Sequence, residues 1–445
     1  MKTSAVTHAA IKKTLACLFA LSVFTPLSCK ANGPVTLNGD TSVKAEITRQ
    51  LNERAVNSLL YFPLSTKRFY AKRSYAPIWT LQQKDQNKTW AAMLLVDCVL
   101  QFGLRHEDYH PEELKYPLLH KILEQPEKIS SRQKARFEIL LTDAMLNFIN
   151  NVHFGKLNPY YPPSKTDRET VKSFNATDVL ANALNQPAFM DAVLKAQPAN
   201  ADYKALQYQL HLIKGVYEGD CYETPEADVR KIAVNMERLR WAELNDSTYI
   251  QINIPTYSLK LATRDTTFHF KVMVGKRSTP TPIMVGLLRD FATSARPVVA
   301  EKGSPDKFNS GDVSSKPTAG NKDGNIYLMP GNKAGIELLG VSNKNLFNKR
   351  ERALTDGAIK IERSEELAKQ LLKTGDSESD IKAVRRALIN HDVRVFGLKK
   401  PIPLSVTYIT AAIVNGQLVK YNDVYHLDSR IENMLYNIKP NSKTK

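Results

Sequence analysis

Tyr249–Ile254 (YIQINI) and Phe268–Val274 (FHFKVMV) decide the fold. Both alternate apolar and polar residues, so one face is apolar and the other polar in an extended chain. Aromatic and β-branched residues dominate them, as a pleated, half-buried surface requires. Pro255 and Gly275 end the two segments. Tyr257–Leu261 has the same character, and Ile326–Leu328, Val393–Phe396, Leu404–Ile409 and Ala412–Val414 continue it downstream. Two helices interrupt these strands. Glu362–Leu372 has Ser364 placed as an N-cap and Gly375 just past its end, and Ser377–Leu388 follows. Lys302–Asn325 is rich in Gly, Ser, Lys, Asn and Asp and predicts a mobile loop.

Upstream, the period changes to that of helices. Ala45–Leu60, Trp90–Phe102 (stopped by Gly103), Arg132–Val152, 176–195 and 201–217 carry apolar residues at helical spacing. Asn158–Ser164 (NPYYPPS) predicts a loop. The sequence therefore reads as α+β, a helical half before a mainly β half. The expected division is 1–28 leader, 29–44 flexible linker, 45–220 helical domain, 221–245 connector, 246–430 β domain and 431–445 polar tail.

The 445 residues carry 62 Lys+Arg against 45 Asp+Glu, a formal charge of +17, with 42% hydrophobic and 24% charged residues. Such a chain is too apolar to be wholly disordered and long enough for two or three cores. Lys2, Lys12 and Lys13 precede the short apolar run Leu15–Leu27. This pattern predicts a cleaved secretory signal, since the run is too short to span a bilayer. Loss of residues 1–28 removes three lysines and no acid, leaving +14. The expected location is the periplasm or cell envelope, with peptidoglycan, other wall enzymes or a membrane surface as partners and no nucleic acid. Cys29 is a candidate for lipidation, which would tether the protein to the membrane. The four cysteines are Cys17, Cys29, Cys98 and Cys221. Cys98 and Cys221 could pair on export, although Cys98 lies in an apolar run and reads more simply as a buried thiol.

The ordered motifs resemble the large scaffold-bearing, YcbB-like murein L,D-transpeptidases, with a YkuD-type catalytic domain. In the helical half these are Phe69-Tyr70 with Pro77-Ile78-Trp79, Gly103-Leu104 with Asp108-Tyr109-His110, Leu141–Ala144, Gly155-Lys156-Leu157 and Gln197-Pro198. Asn235–Trp241 (NMERLRW), Ile252–Pro255, Val274–Lys276, Thr281-Pro282, Asn345–Phe347 and Pro401–Pro403 extend the likeness to the C-terminal half. The resemblance implies cysteine-dependent acyl transfer between peptidoglycan stem peptides, needing a thiolate and a nearby His but no cofactor or metal.

Those groups are replaced. Thr355–Lys360 (TDGAIK) stands where the family has Ser-His-Gly-Cys-Ile-Arg, which puts Ala358 at the nucleophile, Asp356 at the motif His and Lys360 at the Arg. Leu339 occupies the second His position. No register shift can restore a thiol, because no cysteine follows Cys221. Gly340, Thr355, Gly357 and Ile359 are the candidate lining of a retained binding groove. The family's Asn-Pro-x-Trp region after Thr281-Pro282 is absent, as is the inserted peptidoglycan-binding module. His269, His391 and His426 are the only histidines of the β half and form no metal-ligand spacing. The leading expectation is an exported pseudoenzyme that binds peptidoglycan or partners wall enzymes. The alternatives are an active transferase or hydrolase with a non-cysteine mechanism, using Thr355, Ser342, Asp356 or a bound metal, and a basic envelope-binding structural protein.

Overall fold

The structure is a computed structural model that describes residues 38–81, 86–214, 226–242, 244, 246–293, 326–331, 337–341, 344–375 and 377–438. The expected signal segment, Cys29, Cys221, Ser342 and the loop 302–325 lie outside these residues. Among the described residues no helix is long and apolar enough to cross a membrane.

The first half is helical: α1 Asn38–Gln50, α2 Arg54–Asn57, α3 Pro63–Lys72, α4 Gln86–Asp97, α5 Tyr116–Glu124, α6 Ser131–Phe154, α7 Pro163–Thr166, α8 Ala176–Leu184, α9 Phe189–Leu194 and α10 Ala201–Lys214. The central rod is α6. It starts at a capping box in which the Ser130 hydroxyl accepts from Gln133 N–H, while Gln133 Oε1 accepts from Ser130 N–H. Most of its residues are buried, because α1, α3, α4 and α8 pack around it.

Three buried acids pin the surrounding loops to this core. Glu138 accepts from the backbone N–H of Ile78, Trp79 and Thr80 and from the hydroxyls of Thr80 and Tyr70, all at 2.7–3.0 Å. Burial still pushes its carboxyl above the ordinary range. Asp143 accepts from Tyr61 and Phe62 N–H and contacts His110 Nε2 at 2.7 Å. Asp167 takes the N–H groups of Leu64 and Ser65 at the start of α3.

The second half comprises β1 Tyr249–Asn253, β2 Ser258–Ala262, β3 Thr267–Gly275, β4 Met284–Thr293, β5 Ile326–Gly331, β6 Leu338–Gly340, β7 Ala353–Thr355, β8 Ile359–Ile361 and β9 Arg394–Thr407. Their order is β2-β1-β9-β4-β5-β6-β8-β3-β7. Because β2 also pairs with β3, eight strands close into a barrel-like sheet, with β7 added alongside β3. Helices α12 Ser364–Lys373 and α13 Glu378–Asn390 pack on it, and a hairpin of β10 Ala411–Val414 and β11 Gln417–Lys420 follows. The α+β organisation read from the sequence is thus the one observed.

Several local expectations are corrected. The described part of the expected linker, 38–44, and the helix 45–60 give way to α1, which starts at Asn38 and breaks after Gln50. The break is held by Asn57 Nδ2, which donates to the Leu51 carbonyl. The helix 176–195 splits into α8 and α9 around Pro187. The loop 158–164 runs into α7, which uses Pro163 as its first residue. Ser364 is the first residue of α12 rather than its cap, and Arg363 precedes it at φ 51°. Val393–Phe396 and Leu404–Ile409 are parts of one strand, β9, whose register against β4 shifts between Leu288 and Asp290. That irregularity accommodates Pro401, which has no N–H for the ladder.

Much of the expected connector is the helix α11 Glu226–Trp241, and the start of the expected tail lies in α14 Asp428–Tyr436. One face of α11 meets the helical half. Glu237 accepts from Leu157 N–H and Trp241 Nε1, and Arg240 donates to the Phe102 carbonyl at 2.6 Å. Gly155 is required here, since a Cβ would lie 2.6 Å from Glu237 Oε1. The other face meets the β half. Asn235 Oδ1 accepts from Thr410 N–H at 2.6 Å, and Asp428 is gripped by Arg238, Lys231 and the Thr410 hydroxyl. Burial works against the Asp428 carboxylate, but Arg238 and Lys231 overcome it and hold its pKa below the ordinary range. Arg238 also lies over the Tyr408 ring, 4.9 Å from its centroid.

Candidate functional site

The positions matching the family's catalytic motif fall on the turn between β7 and β8 and on the neighbouring strand β6. Alternation sorts them onto two faces of the sheet. In the parallel pairing of β6 with β8, Leu338 faces Ile359, Leu339 faces Lys360 and Gly340 faces Ile361. Leu338, Ile359 and Ile361 are at most 1% exposed and point into the core. Gly340 shares that inward face, against α12, and a Cβ there would lie 2.1 Å from Ser364 Oγ. Gly340 and Ile359 therefore hold the core together, which corrects the expectation that they line a groove. Leu339 and Lys360 share the opposite face. Leu339 is buried at 7% exposure, and Met273, the β3 partner of Lys360, belongs to a small apolar cluster with Val341 and Phe347.

The polar groups of the turn are taken up within it and by the neighbouring segment 275–281. Thr355 Oγ1 donates to the Ala358 carbonyl. The Thr355 carbonyl accepts from Lys276 N–H at 2.8 Å and from the Thr279 hydroxyl at 3.4 Å. The Gly357 carbonyl accepts from Thr281 Oγ1 at 2.9 Å, and Thr281 Oγ1 in turn accepts from Gly275 N–H at 2.8 Å. Tyr425 completes the arrangement: its hydroxyl donates to the Gly275 carbonyl at 2.7 Å and accepts from Thr281 N–H at 3.2 Å. Gly357 has φ 99°, a conformation that disfavours any side chain, and Gly275 allows close approach of the Thr279 carbonyl. Asp356 is largely exposed and pairs with the half-open Lys276 at 3.0 Å. Ala358 is half-buried.

The structure thus brings Leu339, Thr355, Gly357, Ala358 and Lys360 to one corner of the sheet, with Asp356 turned to solvent. His269, His391 and His426 are exposed, the last two at φ 57° and 55° in turns. None of the hydrogen bonds of Thr355 involves a histidine. Among the described residues no group of three His, Cys, Asp or Glu could hold a metal ion. Cys98, half-buried on the helical side, has its thiol pKa pushed up by burial and by Asp97, the opposite of what a nucleophile needs. Sequence reasoning missed Tyr425, whose role depends on its meeting Gly275 and Thr281 in space and leaves no local pattern.

Similarity to known proteins sets the chain beside scaffold-bearing, L,D-transpeptidase-like proteins. Residues 65–210 match a family model described as Scaffold domain. A Haemophilus influenzae protein named "Putative L,D-transpeptidase" is 23% identical over 442 residues, covering 89% of this chain and 84% of that protein. The likeness therefore extends across both halves.

Proposed function

We propose that this is an exported envelope protein that keeps the transpeptidase framework without its acyl-transfer chemistry, and that it works by binding peptidoglycan or by partnering wall enzymes. The observation that carries this reading is the turn Thr355–Ala358. A methyl group occupies the nucleophile position, and a methyl cannot form a thioester. Leu339 puts a packed alkyl chain where a base is required. The hydroxyl of the turn, Thr355, is committed to the Ala358 carbonyl. Activation of a hydroxyl needs a base within hydrogen-bond reach, and the partners of this one are backbone groups.

Export rests on the basic, apolar N-terminal segment, and wall binding on the likeness of the whole chain. The reading is tested by incubating the protein with a carbapenem, which acylates an activated thiol or hydroxyl, followed by intact mass measurement. No adduct is expected, and a stable adduct within 246–436 would sink the proposal. Restoring the groups sharpens the test. Ala358→Cys alone should stay unreactive, whereas Ala358→Cys with Asp356→His and Leu339→His should acylate slowly. Equal reactivity of the single and triple variants would show that Leu339 and Asp356 do not occupy the positions of the bases.

A further inference from the structure

The segment Ile381–Ile389 (IKAVRRALI) forms most of α13, and the helical period sorts it into two stripes. Val384 and Ala387 are buried, and Ile381 and Leu388 pack beside them against the core of the β half. The opposite stripe carries Lys382, Arg386 and Ile389, with Arg385 at its flank. All four are exposed, and Ile389, at 68%, is the most exposed large apolar side chain among the described residues. The acids of α13, Glu378 and Asp380, are confined to its first turn, where carboxylates complement the positive end of the helix dipole. Further exposed cations adjoin the helix. Arg394 follows it at the start of β9, with Asp392 as the one acid between the two elements, and Lys399 lies against Gly375, just past the end of α12.

The side chains of Lys382, Arg385, Arg386, Arg394 and Lys399 have no ion pair or hydrogen bond among the described residues. The helix α11 is the contrasting case. Its four cations, Arg230, Lys231, Arg238 and Arg240, all reach acids, because protein lies against it on both faces. On α13 the charge stands on a convex face, and its counter-charge is left to the surroundings. A convex face offers no cleft to enclose a discrete ligand, whereas a flat anionic surface meets all of its cations at once. The long Lys and Arg stems can spread so that their charges reach headgroups while an apolar side chain between them enters the acyl boundary. Ile389 holds that place on the stripe.

We propose that the exposed face of α13 docks on the surface of an anionic lipid bilayer, with Lys382, Arg385 and Arg386 among the headgroups and Ile389 at the acyl boundary. Each Lys or Arg held near such a surface adds an attraction that salt screens. The inference goes beyond the wall-binding reading and does not depend on it, since it names a second surface of the chain and a second partner.

The test uses the full chain with vesicles of phosphatidylglycerol and phosphatidylcholine, or of phosphatidylcholine alone, both with brominated acyl chains that quench tryptophan emission. Ile389→Trp places a probe on the face, and the wild type, with Trp79, Trp90 and Trp241, gives the background. Anionic vesicles should quench the Ile389→Trp chain beyond that background, and phosphatidylcholine alone should not. Adding Lys382→Glu and Arg386→Glu should weaken the vesicle affinity read from this quenching by about tenfold or more. An ionic strength of about 1 M, where the Debye length is ~3 Å, should release the face. An unchanged unfolding midpoint would confirm that the variants are folded. Quenching no greater than the background, equal quenching by phosphatidylcholine alone, or indifference to the charge reversal would each overturn the proposal. Complete suppression by poly-glutamate at an equal concentration of charge would also overturn it, because the face would then prefer a soluble acidic chain. Adsorption through the apolar run Leu15–Leu27 would leave the Ile389→Trp chain at the background level, so it cannot pass for docking of α13.

Discussion

Glu138 in the helical core and Asp356 in the β7–β8 turn are both acids, and they are built in opposite ways. Glu138 is fully buried and gathers donors from three consecutive backbone groups and two hydroxyls contributed by distant parts of the chain. Asp356 is open to water and has one exposed lysine for company. The two acids differ in how their surroundings hold them. A polar group that organises a core is recognised by many long-range partners, while an open one makes few, solvent-screened contacts.

Three substitutions would break or sharpen this contrast. Glu138→Ala should have the largest effect, destabilising the protein by about 4 kcal/mol or more, because it strands several buried donors at once. Denaturant unfolding measures it, and a loss near zero would mean that the loop 77–80 does not depend on Glu138. Asp428→Asn should cost roughly 3 kcal/mol by leaving Arg238 buried without its counter-charge. Its pH dependence has a defined sign. The Asp428 pKa is lowered in the folded state, so its contribution is complete above the ordinary carboxylate range and is lost as pH falls through the lowered folded value. The gap between wild type and Asp428→Asn should therefore narrow from roughly pH 5 toward pH 2, and a constant gap would contradict the assignment. Asp356→Ala should have the smallest effect, leaving the unfolding midpoint where it is. A clear shift would show that the turn is held by this ion pair rather than by Thr281 and Tyr425.

Much of the architecture is legible in the sequence because its signals are periodic. The alternation in YIQINI and FHFKVMV marks β1 and β3, and the apolar stripe of Arg132–Val152 marks α6. What escapes is structure whose buried faces are polar. In α11, Asn235, Glu237, Arg238 and Arg240 are all at most 4% exposed, yet their chemistry suggests a solvated connector. Their partners, Thr410, Leu157, Asp428 and Phe102, are far away in sequence, so no window along the chain reveals them. The same applies to α14, which looks like a polar tail until Asp428 finds Arg238. At the candidate site, the resemblance alone singles out Ala358, Asp356, Leu339 and Lys360. It does not reveal that Gly340 and Ile359 face inward, because the register of β6 against β8 is set by pairing between strands.

The helix α11 belongs equally to both halves, and this has a consequence for how the molecule comes apart. Each half uses α11 as part of its own wall, so a cut between residues 214 and 226 would leave the helical half without the partner of Gly155 and Arg240's hold on Phe102. A cut just after Trp241 would strip the β half of its grip on Asp428 and Thr410. Each cut leaves one half without a wall, so heat or denaturant should meet one shared transition, and no single cut should release durable fragments of both halves.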